Sequence, residues 1–97
     1  MAATIILEVK IKPGSGDETI ALFKELLPDT RKYDGCISID VYRNQEDPEV
    51  IVLVEQWEQR PKHEAYLNWR TETGAMAALG KLAAEPPNIR YLDNTGV

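Results

Sequence analysis

One histidine and its neighbours carry the side-chain chemistry that is easiest to assign in this chain. His63, Tyr66 and Arg70 are spaced by three and four residues, so on a helix they share one face. Histidine is the side chain whose unperturbed pKa lies near neutrality, which makes His63 the natural proton acceptor. Tyr66 is placed to orient a substrate hydroxyl. The structural alternatives are a solvated histidine on a helix face and a half-buried core tyrosine.

Aromatic and soft side chains form a second group of candidates. Strand alternation puts Trp57 on the same face as Leu53 and Glu55. Its indole can stack on an aromatic ligand and donate one hydrogen bond, or it can simply fill the core between sheet and helices. A methionine at helical spacing is more often core filler than a ligand contact. The further residues expected near this gap are Trp69, Tyr33 and Met76.

Glu55 is the odd member of an apolar strand. If it is buried, it must be paired, with Arg43 or Arg90, or its pKa must be raised. A structural ion pair is the interpretation we favour over a catalytic carboxylate. Cys36 is expected to act as a small buried hydrophobic residue, because no adjacent side chain points to a reactive thiolate.

A β-α-β-β-α-β pattern must position these residues. The first strand is predicted over residues 4–12, where Ile5, Leu7, Val9 and Ile11 share one face. An acidic turn at 44–49 joins two further strands, and the chain ends in a fourth. These three strands are predicted over 36–43, with Ile37, Ile39 and Val41 on one face, and over 50–57 and 88–93.

The helical segments have recognisable starts and breaks. Ser15 and Glu18 fit a capping box for the first helix, with Asp17 as a rival N-cap. Pro28 predicts a kink or a restart, because proline removes a helical donor. The second helix is predicted to be split, with helices over 61–70 and 74–84 and a break at 71–73.

This order favours an α+β fold with one four-stranded antiparallel sheet and helices on one face. The length of 97 residues predicts a single domain over 1–97. The segment 50–54 is apolar on both faces, so an isologous dimer packed sheet against sheet is predicted. The alternative is a monomer with a solvated second face, which Glu8, Lys10 and Gln56 would favour.

Charge and cysteine content exclude several classes of function. The net charge of −5 argues against a nucleic-acid groove or an anionic membrane surface as partner. A single cysteine cannot form an intrachain disulfide and favours a reducing cytoplasm. No apolar stretch approaches the roughly 20 residues of a membrane span, and no signal peptide is apparent. One histidine and one cysteine do not give zinc-type spacing, so no metal site is predicted.

The order and spacing of residues 33–69 resemble the antibiotic biosynthesis monooxygenase family. The resemblance implies a ferredoxin-like, dimeric α+β barrel. It also implies oxidation of a small phenolic, anthrone or quinol-type aromatic by molecular oxygen, without a cofactor. The motifs that carry it are Tyr33-Asp34-Gly35-Cys36, Leu53-Val54-Glu55-Gln56-Trp57 and Glu64-Ala65-Tyr66-Leu67.

The same resemblance implies roles for the candidate residues. Trp57, Tyr66 and Trp69 would form a dry aromatic slot. His63 would take the substrate proton, and Arg70 would stabilise the resulting anion. Many members carry histidine where this chain has Tyr66, and one studied member has an asparagine at the position of Leu53. The predicted site is therefore catalytic at His63, Tyr66 and Arg70, and substrate-binding at Trp57, Leu53, Trp69, Met76 and Tyr33.

Two other functions are compatible with this fold. A haem-degrading monooxygenase of the same fold is disfavoured, because the positions of its characteristic histidine, asparagine and tryptophan hold Met76, Leu7 and Tyr66. A non-catalytic dimeric barrel that binds a small ligand, or is associated with stress, stays open, because function depends on the site and not on the fold.

Overall fold

The computed structural model describes residues 2–97, which form one antiparallel sheet and three helices. The strand order is β2-β3-β1-β4, and every neighbouring pair is antiparallel. This confirms the predicted ferredoxin-like α+β fold with a split second helix. In chain order the elements are β1 (Ala3–Lys10), α1 (Gly16–Lys32), β2 (Cys36–Arg43), β3 (Val50–Trp57), α2 (Arg60–Thr73), α3 (Ala75–Leu82) and β4 (Asn88–Leu92).

The core lies between the inner face of the sheet and the helices. Alternation along β1 buries Ile5, Leu7 and Val9, as predicted, and Ile11 continues the pattern just after the strand. The same period buries every second residue of β3, from Ile51 to Trp57. Leu7, Val9, Ile11, Ile51 and Leu53 pack in one cluster with helical side chains, which are Phe23 and Leu27 of α1 and Leu79 of α3.

One predicted face on β2 is wrong. Ile37 was expected to share the inner face with Ile39, but 57% of it is exposed, whereas Ile39 is buried. Cys36 pairs with Trp57 and Ser38 pairs with the adjacent Gln56, so Ile37 is an extra residue on this strand. Such a β-bulge reverses the alternation locally.

Helix α1 also departs from the sequence prediction. Ser15 is the N-cap residue, but its side chain makes no capping hydrogen bond, so the capping box is not formed. The Ser15 carbonyl instead accepts hydrogen bonds from the backbone N–H and the hydroxyl of Thr19. Pro28 lies inside a continuous helix, so no restart occurs there.

The break after α2 lies later than predicted. Helix α2 continues through Thr73 and ends at Gly74, whose φ of 84° is a left-handed conformation that glycine adopts without a steric penalty. Pro61 lies in the first turn of α2, where its missing N–H costs no helical hydrogen bond. Of the helices formed by residues 2–97, none has the length and apolar character needed to cross a membrane.

Candidate active site

A cavity lies between the inner face of the sheet and the helices. Its volume is about 40 Å³. That is room for water, but well below the roughly 300–1,000 Å³ of pockets that hold drug-sized ligands. Its wall is mostly leucine and isoleucine, together with Met76, whose flexible side chain can move to admit a ligand. The polar side chains of the wall are Glu55, His63, Tyr66 and Arg70.

Glu55 reaches this wall from β3 and is 2% exposed. The Trp57 indole N–H donates a hydrogen bond of 3.0 Å to its Oε1. Burial raises the pKa of Glu55 to about 7, and the hydrogen bond from Trp57 opposes this rise. The predicted partners are wrong, because Arg43 pairs with Asp17 and Arg90 is exposed. The burial of Glu55 instead agrees with the alternative expectation, a raised pKa.

His63 extends from the first turn of α2 and faces Glu55. It is also 2% exposed, so the expectation of a solvated histidine is wrong. Its Nε2 lies 3.6 Å from Glu55 Oε1, and its Nδ1 lies 2.9 Å from the hydroxyl of Tyr91 on β4. Burial lowers the pKa of His63 to about 4, so the imidazole is neutral at pH 7. If Tyr91 donates to Nδ1, the ring hydrogen is on Nε2 and points toward Glu55.

Tyr66 and Arg70 belong to a buried network between α2 and α1. Arg70 Nε donates to the Tyr66 hydroxyl at 2.9 Å. Arg70 Nη2 donates to the Leu26 carbonyl at 2.6 Å and to the Thr30 hydroxyl at 3.0 Å. The Tyr66 and Thr30 hydroxyls are themselves 2.6 Å apart. The Tyr66 hydroxyl is therefore engaged by the protein, and the network fixes the position of Arg70 on the cavity wall.

An aromatic cluster stands next to the cavity and consists of Tyr33, Trp57, Tyr66 and Trp69. The Trp57 ring, which is fully buried, lies 5.1 Å from the Tyr66 ring and 6.3 Å from the Tyr33 ring, centroid to centroid. Tyr33 stacks on Trp69 at 5.2 Å. Trp57 also contacts His63 edge to face at 5.3 Å. Through Trp57, the cluster thus contacts two polar side chains that line the cavity, His63 and Glu55.

The sequence match extends over most of the chain. Residues 2–78 match the antibiotic biosynthesis monooxygenase family. The chain belongs to that family. No protein with a curated description matches it in sequence.

Solved structures similar to this antibiotic biosynthesis monooxygenase domain share its fold over nearly their whole length. A conserved protein from Methanosarcina mazei Go1 has a TM-score of 0.88 at 22% identity, with 98% of this chain and 94% of that one covered. A structure described as an antibiotic biosynthesis monooxygenase has a TM-score of 0.85 at 22% identity, with 96% and 98% covered. A protein from Mycobacterium tuberculosis has a TM-score of 0.84 at 22% identity, with 97% and 95% covered. At this identity the likeness concerns the fold alone.

The predicted site residues of this family member fall into two groups. The cavity wall includes His63, Tyr66, Arg70, Leu53 and Met76. The other three, Trp57, Trp69 and Tyr33, are not among the lining residues and belong to the aromatic cluster.

Sequence reasoning missed two hydroxyl groups of this site. Tyr91 alternates with Ile89 on β4 and lies opposite Ile5, so strand periodicity alone could have indicated that it faces inward. Thr30 follows Phe23 and Leu27 at helical spacing and is buried, but a threonine on an apolar stripe gives no specific signal. Among residues 2–97, no group of three or more histidine, cysteine or acidic side chains is arranged to hold a metal ion.

Proposed function

We propose that this domain oxidises a small aromatic that bears a hydroxyl, such as a phenol, anthrone or quinol, with molecular oxygen and without a cofactor. The proposal depends on Glu55, which is a buried carboxyl group on the wall of an apolar cavity and has a pKa of about 7. A base whose pKa lies near the working pH is partly ionised and still accepts a proton readily.

We therefore assign the role of general base to Glu55 and not to His63. A histidine whose pKa is about 4 is neutral at pH 7 but holds a proton too weakly to take one from a phenol. Its Nε2 faces the Glu55 carboxyl group at 3.6 Å, so His63 acts as a positioning residue beside the base. Tyr91 orients the imidazole from the other side.

The proposed chemistry balances without an external reductant. Glu55 takes a proton from the substrate, and the electron-rich anion transfers an electron to oxygen. The two radicals combine to form a carbon–oxygen bond, which gives a peroxide. In an anthrone, the ring CH₂ becomes a carbonyl, one oxygen atom stays in the product, and the other leaves as water with the two hydrogens.

The walls of the cavity would assist this reaction in two ways. Leu53 and Met76 contribute apolar surface that excludes water from the anion. Arg70 brings a fixed positive charge to the cavity, which favours a substrate that becomes negative. Trp57 acts on Glu55 through its hydrogen bond rather than by direct contact with a ligand of this cavity.

We also propose that the domain works as a homodimer joined through the outer face of the sheet. The apolar side chains on that face in a single chain include Ile6, Val52 and Val54, which are half-buried, and Tyr42 and Leu92, which are exposed. Covering such a surface is favourable by about 25 cal/mol per Å². A reducing cytoplasm remains the proposed setting, because the chain has one cysteine.

A second candidate is a barrel that binds a small ligand without turnover. The observation that favours it is the cavity itself, an apolar space of about 40 Å³ between the sheet and the helices. Such a protein would bind the same aromatic molecules but would consume no oxygen.

Oxygen uptake and quinone absorbance, recorded together with a panel of anthrones, phenols and quinols, test the proposal. We expect one oxygen molecule consumed per quinone formed, above the autoxidation blank and unaffected by a metal chelator. Glu55→Gln should lower the rate about 100-fold or more, in line with the usual contribution of a general base. A rise in melting temperature with these ligands, without oxygen uptake for any of them, would favour the binding protein instead.

A further inference from the structure

The cavity must enlarge before it can hold even one aromatic ring. Its volume is about 40 Å³. An engineered protein cavity that binds benzene measures about 150 Å³. Because protein interiors are packed as densely as organic crystals, such room appears only when part of the wall moves. The part of the wall that is held least firmly is the part expected to move.

Helix α3 is that part of the wall. It contributes Ala75, Met76 and Leu79 to the cavity. Of its eight residues only Leu79 is buried, with 3% of it exposed. The ion pairs and side-chain hydrogen bonds formed by residues 2–97 include no side chain of α3. The packing of Leu79 is therefore the main side-chain contact that holds α3 on the core.

The sequence of α3 adds little stability of its own. Gly80 lies inside the helix, where glycine is less favourable than alanine. The N-cap residue is Gly74, and no side chain caps the first turn. A helix of eight residues is also too short to be stable by itself in water. Helix α3 is therefore expected to open locally more often than the longer helix α1.

The two ends of α3 are attached differently. At its start, Gly74 ends α2 and precedes α3 with a φ of 84°, and glycine can change its backbone dihedrals without a side-chain clash. At its end, the Leu82 carbonyl accepts a hydrogen bond of 2.8 Å from the Lys12 N–H. The Ala84 N–H donates to the Lys10 carbonyl at 2.7 Å. The start of α3 is thus free to pivot, whereas its end is fixed beside β1.

A surface groove beside α3 leaves space for such a movement. It lies between α1 and α3 and has a volume of about 400 Å³. Its walls include Ala21 and Leu22 of α1 and Ala78 of α3. Because α3 is not closely packed along this groove, its displacement breaks few contacts with α1.

We propose that α3 is a lid over the cavity, which pivots at Gly74 with its other end fixed beside β1, and that Leu79 holds it closed. Opening enlarges the cavity and gives a molecule the size of an aromatic ring access to Glu55 and His63. Both residues are 2% exposed while the lid is closed. The proposal concerns a movement of the chain and does not depend on the oxidation.

The single histidine provides a probe that needs no substrate. Diethyl pyrocarbonate reacts with neutral imidazole, and the ultraviolet absorbance of the product records the reaction of His63. Ala21→Cys and Ala78→Cys, in a Cys36→Ser background, place one thiol on each wall of the groove. A bismaleimide with a reducible disulfide spacer joins the two thiols. We expect His63 to react about tenfold or more slowly in the joined protein than after reduction of the spacer, because joining α3 to α1 prevents local opening.

A variant of Leu79 tests what holds the lid closed. Leu79→Ala should increase the rate of the His63 reaction about tenfold or more, because the lid loses its buried side chain. Ile51→Ala is the control for a general loss of stability, since Ile51 belongs to the same core cluster but does not line the cavity. Hydrogen exchange should be faster in α3 relative to α1 in Leu79→Ala, and the ratio should be unchanged in Ile51→Ala. If Leu79→Ala does not fold, the joined protein decides.

Two results would overturn the lid: equal reaction rates of His63 in the joined and reduced proteins, or wild-type α3 amides as well protected as those of α1. The outcome for the oxidation is separate. Slower reaction of His63 in the joined protein, without oxygen uptake for any aromatic of the panel, would keep the lid and overturn the oxidation. Oxygen uptake at an equal rate in the joined and reduced proteins would keep the oxidation and overturn the lid.

Discussion

Glu55 Oε1 and His63 Nε2 lie 3.6 Å apart, and each residue is 2% exposed. Burial acts on the two groups in opposite directions, because it disfavours whichever form is charged. It raises the pKa of Glu55 to about 7 and lowers that of His63 to about 4. Near neutral pH the pair therefore gains and loses its proton at the carboxyl group, with the imidazole neutral throughout.

The pH dependence of turnover should follow Glu55. In the wild type, kcat/KM should rise with pH through a midpoint near 7, because the base must be ionised to accept the substrate proton. Glu55→Gln should lose this rise and be about 100-fold slower or more at pH 7. The deficit should shrink at high pH, where the substrate ionises without help. Glu25→Gln, on the exposed surface of α1, is the matched control, and a flat wild-type profile would remove Glu55 from the mechanism.

The same carboxyl should make stability depend on pH. Its pKa is about 7 in the folded state and about 4.3 in an unfolded chain, so the folded state holds the proton more tightly. The contribution of Glu55 to stability therefore falls as pH rises from about 4 to 7. Glutamine does not titrate, so it removes this loss. The free energy of unfolding of Glu55→Gln, relative to that of the wild type, should therefore increase by up to about 3 kcal/mol over that range. Urea unfolding at pH 4.5 and pH 8 measures the difference, and a constant difference would contradict the raised pKa.

The strands and their faces were predictable because alternation is a local property. The bounds predicted for β3 agree with the structure, and every second residue of that strand is buried. The error at Ile37 has a different origin. A bulge depends on how β2 pairs with β3, and the eight residues of β2 do not contain that information.

The surroundings of Glu55 were not predictable for a related reason. Strand register places Ile5 on one side of Glu55 and Ile39 on the other, so no cation lies across from it. Arg43 lies opposite Ile51 instead, and Arg90 lies opposite Ile6, whose side chain is on the outer face. Helical spacing did bring His63, Tyr66 and Arg70 to one face, but it gave no measure of how deeply each would be buried.

Trp57 should tune the base rather than bind the substrate. Its hydrogen bond to Glu55 favours the ionised carboxyl, so removing it should raise the pKa of Glu55 further. In Trp57→Phe the midpoint of the pH–rate profile should therefore move to higher pH. The matched control is Trp69→Phe, because Trp57 and not Trp69 donates the hydrogen bond to Glu55. The midpoint of its pH–rate profile should equal that of the wild type. A Trp57→Phe profile identical to the wild type would show that the bond does not control the base.

The Tyr66 hydroxyl should contribute to stability. It accepts a hydrogen bond from Arg70 and lies 2.6 Å from the Thr30 hydroxyl, in a buried part of the chain. Tyr66→Phe leaves a buried guanidinium donor without its acceptor, which should cost about 1–3 kcal/mol in urea unfolding. Tyr42→Phe removes a hydroxyl from a residue that is 56% exposed and should cost close to nothing. Equal losses in the two variants would mean that the network does not hold α2 to α1.

The outer face of the sheet should hold two copies of the chain together. Val52 lies on that face, next to Tyr42 on β2, and its side chain does not enter the core of a single chain. In Val52→Lys the ammonium would be buried against apolar side chains of the second copy, which is unfavourable without a negative partner. Sedimentation should therefore give a dimer for the wild type and a folded monomer for Val52→Lys. Glu25→Lys introduces the same group on α1, away from the sheet, and should stay dimeric. If the wild type is a monomer at micromolar concentration, the outer face is solvated. The polar residues Glu8, Lys10 and Gln56 on that face would then account for its solubility.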